Sequence, residues 1–188
     1  MNSPPRSKTA PPLSKETQQR LSDFAALILE WNQRINLTGF RTIAEIEQVL
    51  IGECVQALPY LEIAGKTVLD FGSGAGIPGL VWAVCQPTVR LTSLEVRQKK
   101  VAFQKEAARE LQIPSEIICG RFPEAVAGRK FDVIVSRAIR FSPTLWKDAR
   151  GLLNAGGLIA RFASHGDPEE GWESISISDR SALLISRA

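Results

Sequence analysis

Residues 67–80 constrain the fold most, because a short apolar run is followed there by closely spaced glycines. Val68 and Leu69 predict a buried β-strand. The glycines let the backbone turn sharply and leave no Cβ in the way of a ligand. Pro78 suits the first turn of a helix, and the apolar residues after Gly79 fit a helix packed on a sheet. The stretch therefore predicts a strand, a glycine turn and a helix.

Two glycine patterns overlap in this turn and predict different ligands. Gly74-x-Gly76-x-x-Gly79 matches the dinucleotide fingerprint, in which the helix N-terminus binds a pyrophosphate. Asp70-x-Gly72-x-Gly74-x-Gly76 starts at the strand end and resembles the first motif of class I S-adenosylmethionine methyltransferases. That cofactor carries an ammonium and a sulfonium but no phosphate, so the carboxylate of Asp70 favours it and would repel a pyrophosphate. A glycine turn without any ligand is the remaining alternative.

The chain is long enough for one α/β domain with a small extension, at 188 residues and 44% hydrophobic composition. A net charge of +3 permits a polyanionic partner without requiring one. Three cysteines and one histidine, without a Cys-x-x-Cys pair, predict reduced thiols and no metal site. No apolar run approaches the roughly 18 residues of a membrane span, and no signal peptide opens the chain. We therefore expect a cytoplasmic protein.

The chain divides by composition into three parts. Residues 1–13 are rich in proline and polar side chains and predict a disordered tail. Residues 14–62 predict an N-terminal helical cap, whose first helix has an apolar stripe and whose second opens with the capping-box pair Thr42 and Glu45 and runs to about Leu58. Residues 63–188 predict a Rossmann-like core that forms one compact domain with the cap.

Apolar alternation and turn residues predict the other core strands. These lie at residues 89–95, 116–119, 130–138 and from 158 onward. A helix that starts at Pro143 and stops at Gly156 and Gly157 precedes the fifth strand. Residues 172–177 and 182–185 predict an antiparallel C-terminal hairpin at the sheet edge. The predicted fold is α/β, with a mostly parallel sheet.

Several residues that follow strands are candidates for the site, because ligands bind open α/β sheets at the carboxyl ends of their strands. Glu95 lies nineteen residues after Gly76, close to the roughly 20-residue spacing of an acid that binds ribose hydroxyls. Arg137 can contact a cofactor carboxylate or a nucleic-acid phosphate, and the alternative is a structural ion pair with an acid such as Glu124. Phe122 can face an adenine or belong to the core.

A basic helix start follows the second strand, at Arg97, Lys99 and Lys100. Cations there oppose the helix dipole at a small local cost, which is compatible with binding of a polyanion and equally with tolerance. With Arg34, these residues are the candidate RNA contacts.

Motifs over most of the chain resemble the small-subunit ribosomal RNA guanine-N7 methyltransferase family, RsmG, formerly GidB. They are Trp31-Asn32 with Asn36-Leu37-Thr38, residues 70–79, Lys99-Lys100-Val101-Ala102-Phe103, Gly120-Arg121-Phe122-Pro123-Glu124 and Ser136-Arg137-Ala138. The resemblance implies S-adenosylmethionine as cofactor, bound by Gly72, Ile77, the pair Phe122 and Pro123, and Arg137, with Glu95 on the ribose. It also implies small-subunit ribosomal RNA or its particle as the partner. We expect the protein to be a monomer.

The chain departs from the family pattern in two places. Leu50 and Glu53-Cys54 stand where the family usually has a histidine and an Asp-Ser pair. Phe162 and Ala163 stand where it usually has a lysine and a glycine, with Arg161 one place earlier.

The reaction that the resemblance implies needs no general base, because guanine N7 has an exposed lone pair and positioning supplies most of the catalysis. Catalytic side chains are therefore not assigned. Two other functions stay open. One is a cofactor-binding protein of the same fold with another substrate or a non-catalytic RNA-binding role, and the other is an NAD(P) oxidoreductase.

Overall fold

The computed structural model describes residues 8–10, 12–137, 139–164 and 171–187. Its strands are β1 (Thr67–Phe71), β2 (Arg90–Glu95), β3 (Ser115–Cys119), β4 (Phe131–Arg137), β5 (Leu153–Ser164), β6 (Glu173–Ser176) and β7 (Ser181–Arg187). They form one sheet in the order β3-β2-β1-β4-β5-β7-β6. Strands β1 to β5 are parallel, and β7 is antiparallel to both β5 and β6. The predicted mostly parallel sheet with an antiparallel edge hairpin is confirmed.

Six α-helices surround this sheet in the described part of the chain. They are α1 (Lys15–Asn32), α2 (Ile43–Glu45), α3 (Gly52–Leu61), α4 (Gly79–Cys85), α5 (Gln98–Glu110) and α6 (Pro143–Gly151). Ser14 caps α1 by accepting the Thr17 amide at 3.1 Å. The capping box of Thr42 and Glu45 is also present, as predicted from their spacing.

The second helix of the cap is less regular than the sequence pattern predicts. Between α2 and α3 the residues Ile46–Ile51 form a π-helical segment, in which the Gly52 N–H donates to Glu47 O. A π-turn adds a residue to the helical repeat, so a 3.6-residue periodicity does not reveal it. The helical run ends at Leu61, three residues later than predicted.

Strand β5 begins earlier than predicted, at Leu153. The register of β4 against β5 shifts between Phe131 and Val133, so Gly156 and Gly157 belong to an irregular strand start and do not end the helix. Gly157 has no room for a side chain, because a Cβ there would lie 3.0 Å from Asp132 O. The glycine pair allows this close backbone approach, which is a common role of glycine in strands.

The cap packs on one face of the sheet, and α6 packs on the other. The first apolar layer joins residues of α1, α3 and α4 to Val68 and Val135 of the sheet. Trp82 of α4 is wholly buried in this layer and donates its indole N–H to Cys54 O of α3 at 2.9 Å. Cap and core are therefore joined by packing and by a buried hydrogen bond.

The predicted tail falls partly outside the described residues, which omit 1–7 and 11. Lys8 lies against the end of α3, where its backbone N–H donates to Tyr60 Oη at 2.9 Å and its ammonium donates to Pro59 O at 3.1 Å. Among the described helices, none combines the length and the apolar character needed to cross a membrane.

Replacing Trp82 by alanine is expected to lower the free energy of unfolding by about 3–5 kcal/mol, because it leaves a cavity between cap and sheet. Trp82→Phe keeps most of the apolar volume and loses only the indole N–H, so we expect a smaller loss of about 1–3 kcal/mol. Urea denaturation followed by circular dichroism measures both. A loss below about 1 kcal/mol for the alanine variant would contradict the described packing.

Candidate cofactor site at the glycine turn

The glycine turn leaves β1 with backbone angles that side chains rarely tolerate. Gly72, Gly74 and Gly76 have φ angles of 66°, 58° and 78°. At Gly72 a Cβ would also lie 2.3 Å from Ile139 Cδ1, so the end of that side chain would have to move, and the positive φ is the stronger reason for glycine. The shape of the turn thus depends on its three glycines, as the sequence pattern predicts.

Asp70 supports the turn from beneath. Its side chain is wholly buried, and Oδ2 accepts the Gly79 N–H at 2.8 Å, at the start of α4. Oδ1 has no hydrogen-bond partner among the described residues. Burial raises the pKa of Asp70 to about 7; the Gly79 hydrogen bond opposes this shift, Glu95 adds to it and Arg137 opposes it. Asp70 does not form part of the exposed surface of the site.

Glu95 ends β2 beside the turn, where the spacing predicts it. One carboxylate oxygen accepts the Gly74 N–H and the other accepts the Arg97 N–H, both at 2.9 Å. The residue is 6% exposed. Two hydrogen bonds hold the carboxylate in one orientation at the carboxyl edge of the sheet. Each oxygen can accept further hydrogen bonds from hydroxyl groups.

These two carboxylates decide which cofactor the turn can accept. A dinucleotide fold offers free amides at the turn and at the helix N-terminus to a pyrophosphate. Here the amides of Gly74 and Gly79 already donate to Glu95 and Asp70. The charge of Glu95 would repel a pyrophosphate and attract a cationic cofactor, and Asp70 adds to this charge only where the pH exceeds its raised pKa of about 7. The geometry fits S-adenosylmethionine and does not favour NAD(P).

Gln104 of α5 also holds the turn, and the sequence analysis did not identify it. The side chain is wholly buried; Nε2 donates to Gly74 O at 2.8 Å and to Ser73 Oγ at 2.9 Å, and Oε1 accepts from Ser93 Oγ at 2.6 Å. The sequence pattern that could have identified Gln104 is a polar residue three positions after Val101, on the apolar face of α5.

The loop after β3 brings Phe122 and Pro123 towards the same sheet edge. Phe122 stacks on Phe71 at the end of β1, with the ring centres 4.5 Å apart. It is half-buried, so one part belongs to the core and another is available to a ligand. Ile77 is 5% exposed and belongs to the apolar layer under the turn.

Arg137 has a different partner from the one considered in the sequence analysis. Its guanidinium donates to Glu53 of α3 at 2.6 Å and lies over the Phe162 ring, 5.2 Å from the centre. The alternative of a structural ion pair is therefore present, with Glu53 as the acid in place of Glu124. Ser178, in the turn before β7, donates to the second oxygen of Glu53 at 2.8 Å. Arg137 thus links the cap, β5 and the C-terminal hairpin.

The departures from the family pattern surround this arginine. Besides Glu53 and Phe162, the backbone oxygen of Leu50 and the sulfur of Cys54 lie 3.5 and 3.8 Å from Arg137 Nη1. Burial raises the pKa of Cys54 to about 12, and the positive charge of Arg137 only partly opposes this. The thiol therefore stays protonated and offers no nucleophile.

Three of the four candidate RNA contacts lie at the start of α5. Arg97 precedes the helix, Lys99 is exposed, and Lys100 Nζ lies 3.9 Å from the position that a Cβ on Gly74 would take. Lys100 is thus a direct neighbour of the turn. Arg34 follows α1 and lies 3.8 Å from Glu30 in an exposed pair, which contributes little to stability.

Several solved structures that are similar to this fold are named methyltransferases. A 16S rRNA N2-guanine methyltransferase of Thermus thermophilus, in complex with AdoMet and guanosine, superposes with a TM-score of 0.59 at 16% identity and covers 73% of this chain and 42% of its own. A methyltransferase of Pyrococcus furiosus gives 0.61 at 16% identity over 93% and 98%. The fold is that of the class I, Rossmann-like S-adenosylmethionine-dependent methyltransferases.

Sequence comparison identifies the family. Residues 17–171 match the model of GidB, rRNA small subunit methyltransferase G, and the chain belongs to this family. Several relatives are named ribosomal RNA small subunit methyltransferase G. That of Methylobacillus flagellatus is 33% identical over 78% of this chain and 71% of the relative. Those of Neisseria gonorrhoeae and Burkholderia multivorans are 40% and 38% identical, over 68% and 84% of this chain and 61% and 72% of the relatives. The matches thus span 61% to 72% of these relatives.

The raised pKa of Asp70 predicts how stability depends on pH. Between its usual pKa of 3.8 and about 7, the folded protein keeps a proton that the unfolded chain releases. The contribution of Asp70 to the free energy of unfolding therefore falls as pH rises through this window. We expect wild type to lose stability relative to Asp70→Asn between about pH 5 and about pH 7, as measured by urea denaturation.

Asp132→Asn is the matched control. Its carboxylate accepts the Thr67 backbone N–H, which lowers the pKa of Asp132 below the usual 3.8. The stability that this shift provides is lost only as pH falls through that lower range, so its difference from wild type should be constant in the window tested. An equally constant difference for Asp70→Asn would show that Asp70 is ionised in the folded protein.

Proposed function

We propose that this protein is an S-adenosylmethionine-dependent methyltransferase that methylates N7 of a guanine in small-subunit (16S) ribosomal RNA. The observation that carries the proposal is the glycine turn, whose amides at Gly74 and Gly79 are occupied by carboxylates. This turn suits a cationic adenosine cofactor, and it lies in a chain that belongs to the rRNA small subunit methyltransferase G family.

The cofactor contacts are assigned to the residues around the turn. Glu95, held by two backbone amides, accepts hydrogen bonds from the ribose hydroxyls. Phe122 and Pro123 present an apolar face to the adenine. The backbone of residues 72–77 lies against the amino-acid end, and Asp70 holds the start of α4 below it by accepting the Gly79 N–H. Contact between Arg137 and the cofactor carboxylate requires its ion pair with Glu53 to open.

Positioning is the main catalytic task of this chain. S-adenosylmethionine, when bound, supplies a methyl group made electrophilic by the sulfonium. The guanine N7 lone pair needs no deprotonation, so the protein has to hold the base at the correct distance and angle. The side chains agree with such a role: Asp70 is buried, Glu95 is held by backbone amides, and the Cys54 thiol stays protonated. None of them is needed as a base.

The RNA approaches the carboxyl edge of the sheet, where the basic residues near α5 lie. Lys100 is a neighbour of Gly74, and Arg97 and Lys99 are exposed beside it. Positive charge at this edge attracts the phosphate backbone. We propose that the protein acts as a monomer in the cytoplasm, on ribosomal RNA or on its particle. N7 of a paired guanine lies in the deep, narrow major groove of RNA, so an unpaired target is expected.

Gly74→Asp is expected to abolish binding of S-adenosylmethionine while the protein stays folded. A Cβ at Gly74 has no neighbour closer than 3.9 Å, and aspartate tolerates a left-handed backbone, but its carboxylate would occupy the ligand side of the turn. Gly128→Asp is the matched control, since Gly128 also has a positive φ, lies in open space and precedes β4 at the opposite sheet edge. Isothermal titration calorimetry measures both, and unchanged affinity of Gly74→Asp would overturn the site.

Methyl transfer from labelled S-adenosylmethionine to small-subunit RNA and particles tests the function. The substrates come from cells that lack the enzyme, and mass spectrometry identifies the modified base. We expect a new 7-methylguanine with wild type and none with Gly74→Asp. Tight cofactor binding without incorporation into either substrate would instead favour a different substrate or a non-catalytic RNA-binding role.

A further inference from the structure

A pocket of about 630 Å³ opens on the face of the sheet where α6 packs. Its described lining comes from the loop after β4, from α6, from the residues just before β6 and from the end of β7. The aromatic residues of this lining are Phe141, Trp146 and Trp172, and the charged ones are Arg150 and Arg187. We call it the aromatic pocket. None of the cofactor contacts proposed above is among its described lining residues.

A series of ring contacts joins the aromatic pocket to the cofactor site. The ring of Phe122 stacks on Phe71, which directly precedes Gly72 of the glycine turn. Phe71 also meets Phe141 edge to face, with the ring centres 5.5 Å apart, and Phe141 lies 5.8 Å from Trp172. The pocket therefore begins within two ring contacts of the residue before the turn. An RNA whose target base reaches the turn can place a neighbouring nucleotide there.

The two arginines of the aromatic pocket are available to a ligand. Both are exposed, and the described residues that line the pocket include no acid. Arg150 lies over the Trp146 ring, with Cζ 4.7 Å from the ring centre, and a stacked guanidinium keeps its N–H donors free. In the described part of the chain neither guanidinium forms an ion pair or a hydrogen bond. The pocket thus offers two positive charges that suit phosphate groups.

The indole rings add surfaces on which bases can stack. Trp146 and Trp172 are each half-buried, so part of each side chain is open to solvent. Bases stack on aromatic rings and on guanidinium planes, with little dependence on sequence. The indole N–H of Trp146 is buried without a hydrogen-bond acceptor among the described residues, which is rare in folded proteins. Aromatic rings next to arginines without an acidic partner are typical of sites for unpaired nucleotides.

We propose that the aromatic pocket binds an unpaired nucleotide of the RNA substrate, beside the target guanine. Its base stacks on Trp172, and its phosphates contact Arg150 and Arg187. The proposal rests on the proposed function and names a surface by which the chain holds the RNA. The pocket volume lies within the roughly 300–1,000 Å³ of sites that hold small molecules. A paired base has no free face for a protein ring, so the nucleotide has to be unpaired.

Binding of a short single-stranded RNA and of a duplex of the same length tests the proposal without methyl transfer. We expect Trp172→Ala to weaken binding of the single strand about tenfold, because one stacked base is lost. Duplex binding and the slope of log affinity against log salt should stay as in wild type. Arg150→Ala and Arg187→Ala should each reduce that slope for the single strand by about 0.7, the value for one phosphate contact.

Matched controls lie away from the aromatic pocket. Tyr60 is a half-buried aromatic residue of α3 in the cap, and Arg90 is an exposed arginine at the start of β2. Tyr60→Ala should keep the single-strand affinity, and Arg90→Ala should keep the salt slope. Trp172→Phe retains a ring and should recover most of the affinity. Circular dichroism checks that each variant is folded, and calorimetry should give unchanged affinity for S-adenosylmethionine.

The proposal is overturned if wild type does not bind the single strand, or if Trp172→Ala binds it as wild type does. Unchanged salt slopes in both pocket arginine variants, or equal losses in Tyr60→Ala and Arg90→Ala, would also contradict it. Normal binding of free RNA with weaker binding of the small-subunit particle would assign the pocket to a protein of that particle instead. If the expected losses occur but wild type forms no 7-methylguanine, the proposed function fails while the aromatic pocket remains an RNA site.

Discussion

Two hydrogen bonds, donated by the amides of Gly74 and Gly79 to the carboxyl groups of Glu95 and Asp70, determine the rest of the site. A helix start and a glycine turn together make a place for anions, because their amides point outward with positive charge. In this chain Asp70 and Glu95 occupy those amides from inside the protein. The turn keeps its backbone shape, but it attracts a cation where a turn with free amides attracts an anion. The same backbone arrangement can therefore serve phosphate cofactors in one fold family and a sulfonium cofactor in another.

Arg137 connects the cap, β5 and the C-terminal hairpin, which lie outside the glycine turn. It contacts Glu53 of the cap and Phe162 of β5, and Ser178 of the C-terminal hairpin fixes Glu53 in turn. Two positions at which the chain departs from its family thus contact the same guanidinium. An acid and an aromatic ring are both favourable neighbours of an arginine. Glu53 and Phe162 are thus joined in this fold through one guanidinium.

The sequence predicted what depends on local backbone geometry. The glycine turn, the acid at the end of β2 and the capping box of Thr42 and Glu45 follow from residue types at fixed short offsets. The partner of Arg137 could not be predicted, because Glu53 lies 84 residues away and only the tertiary fold joins them. The same holds for Gln104, whose partners belong to β2 and the turn. The early start of β5 was missed because a glycine pair ends helices and also permits irregular strands.

The hydrogen bonds of Gln104 have a mechanical consequence. They tie the first half of α5 to the glycine turn, at Ser73 Oγ and Gly74 O. Lys100 lies in the first turn of the same helix. A nucleic acid that contacts the start of α5 is therefore bound next to the glycine turn of the cofactor site. Neither ligand has to order this part of the chain, so both can bind with little loss of conformational entropy.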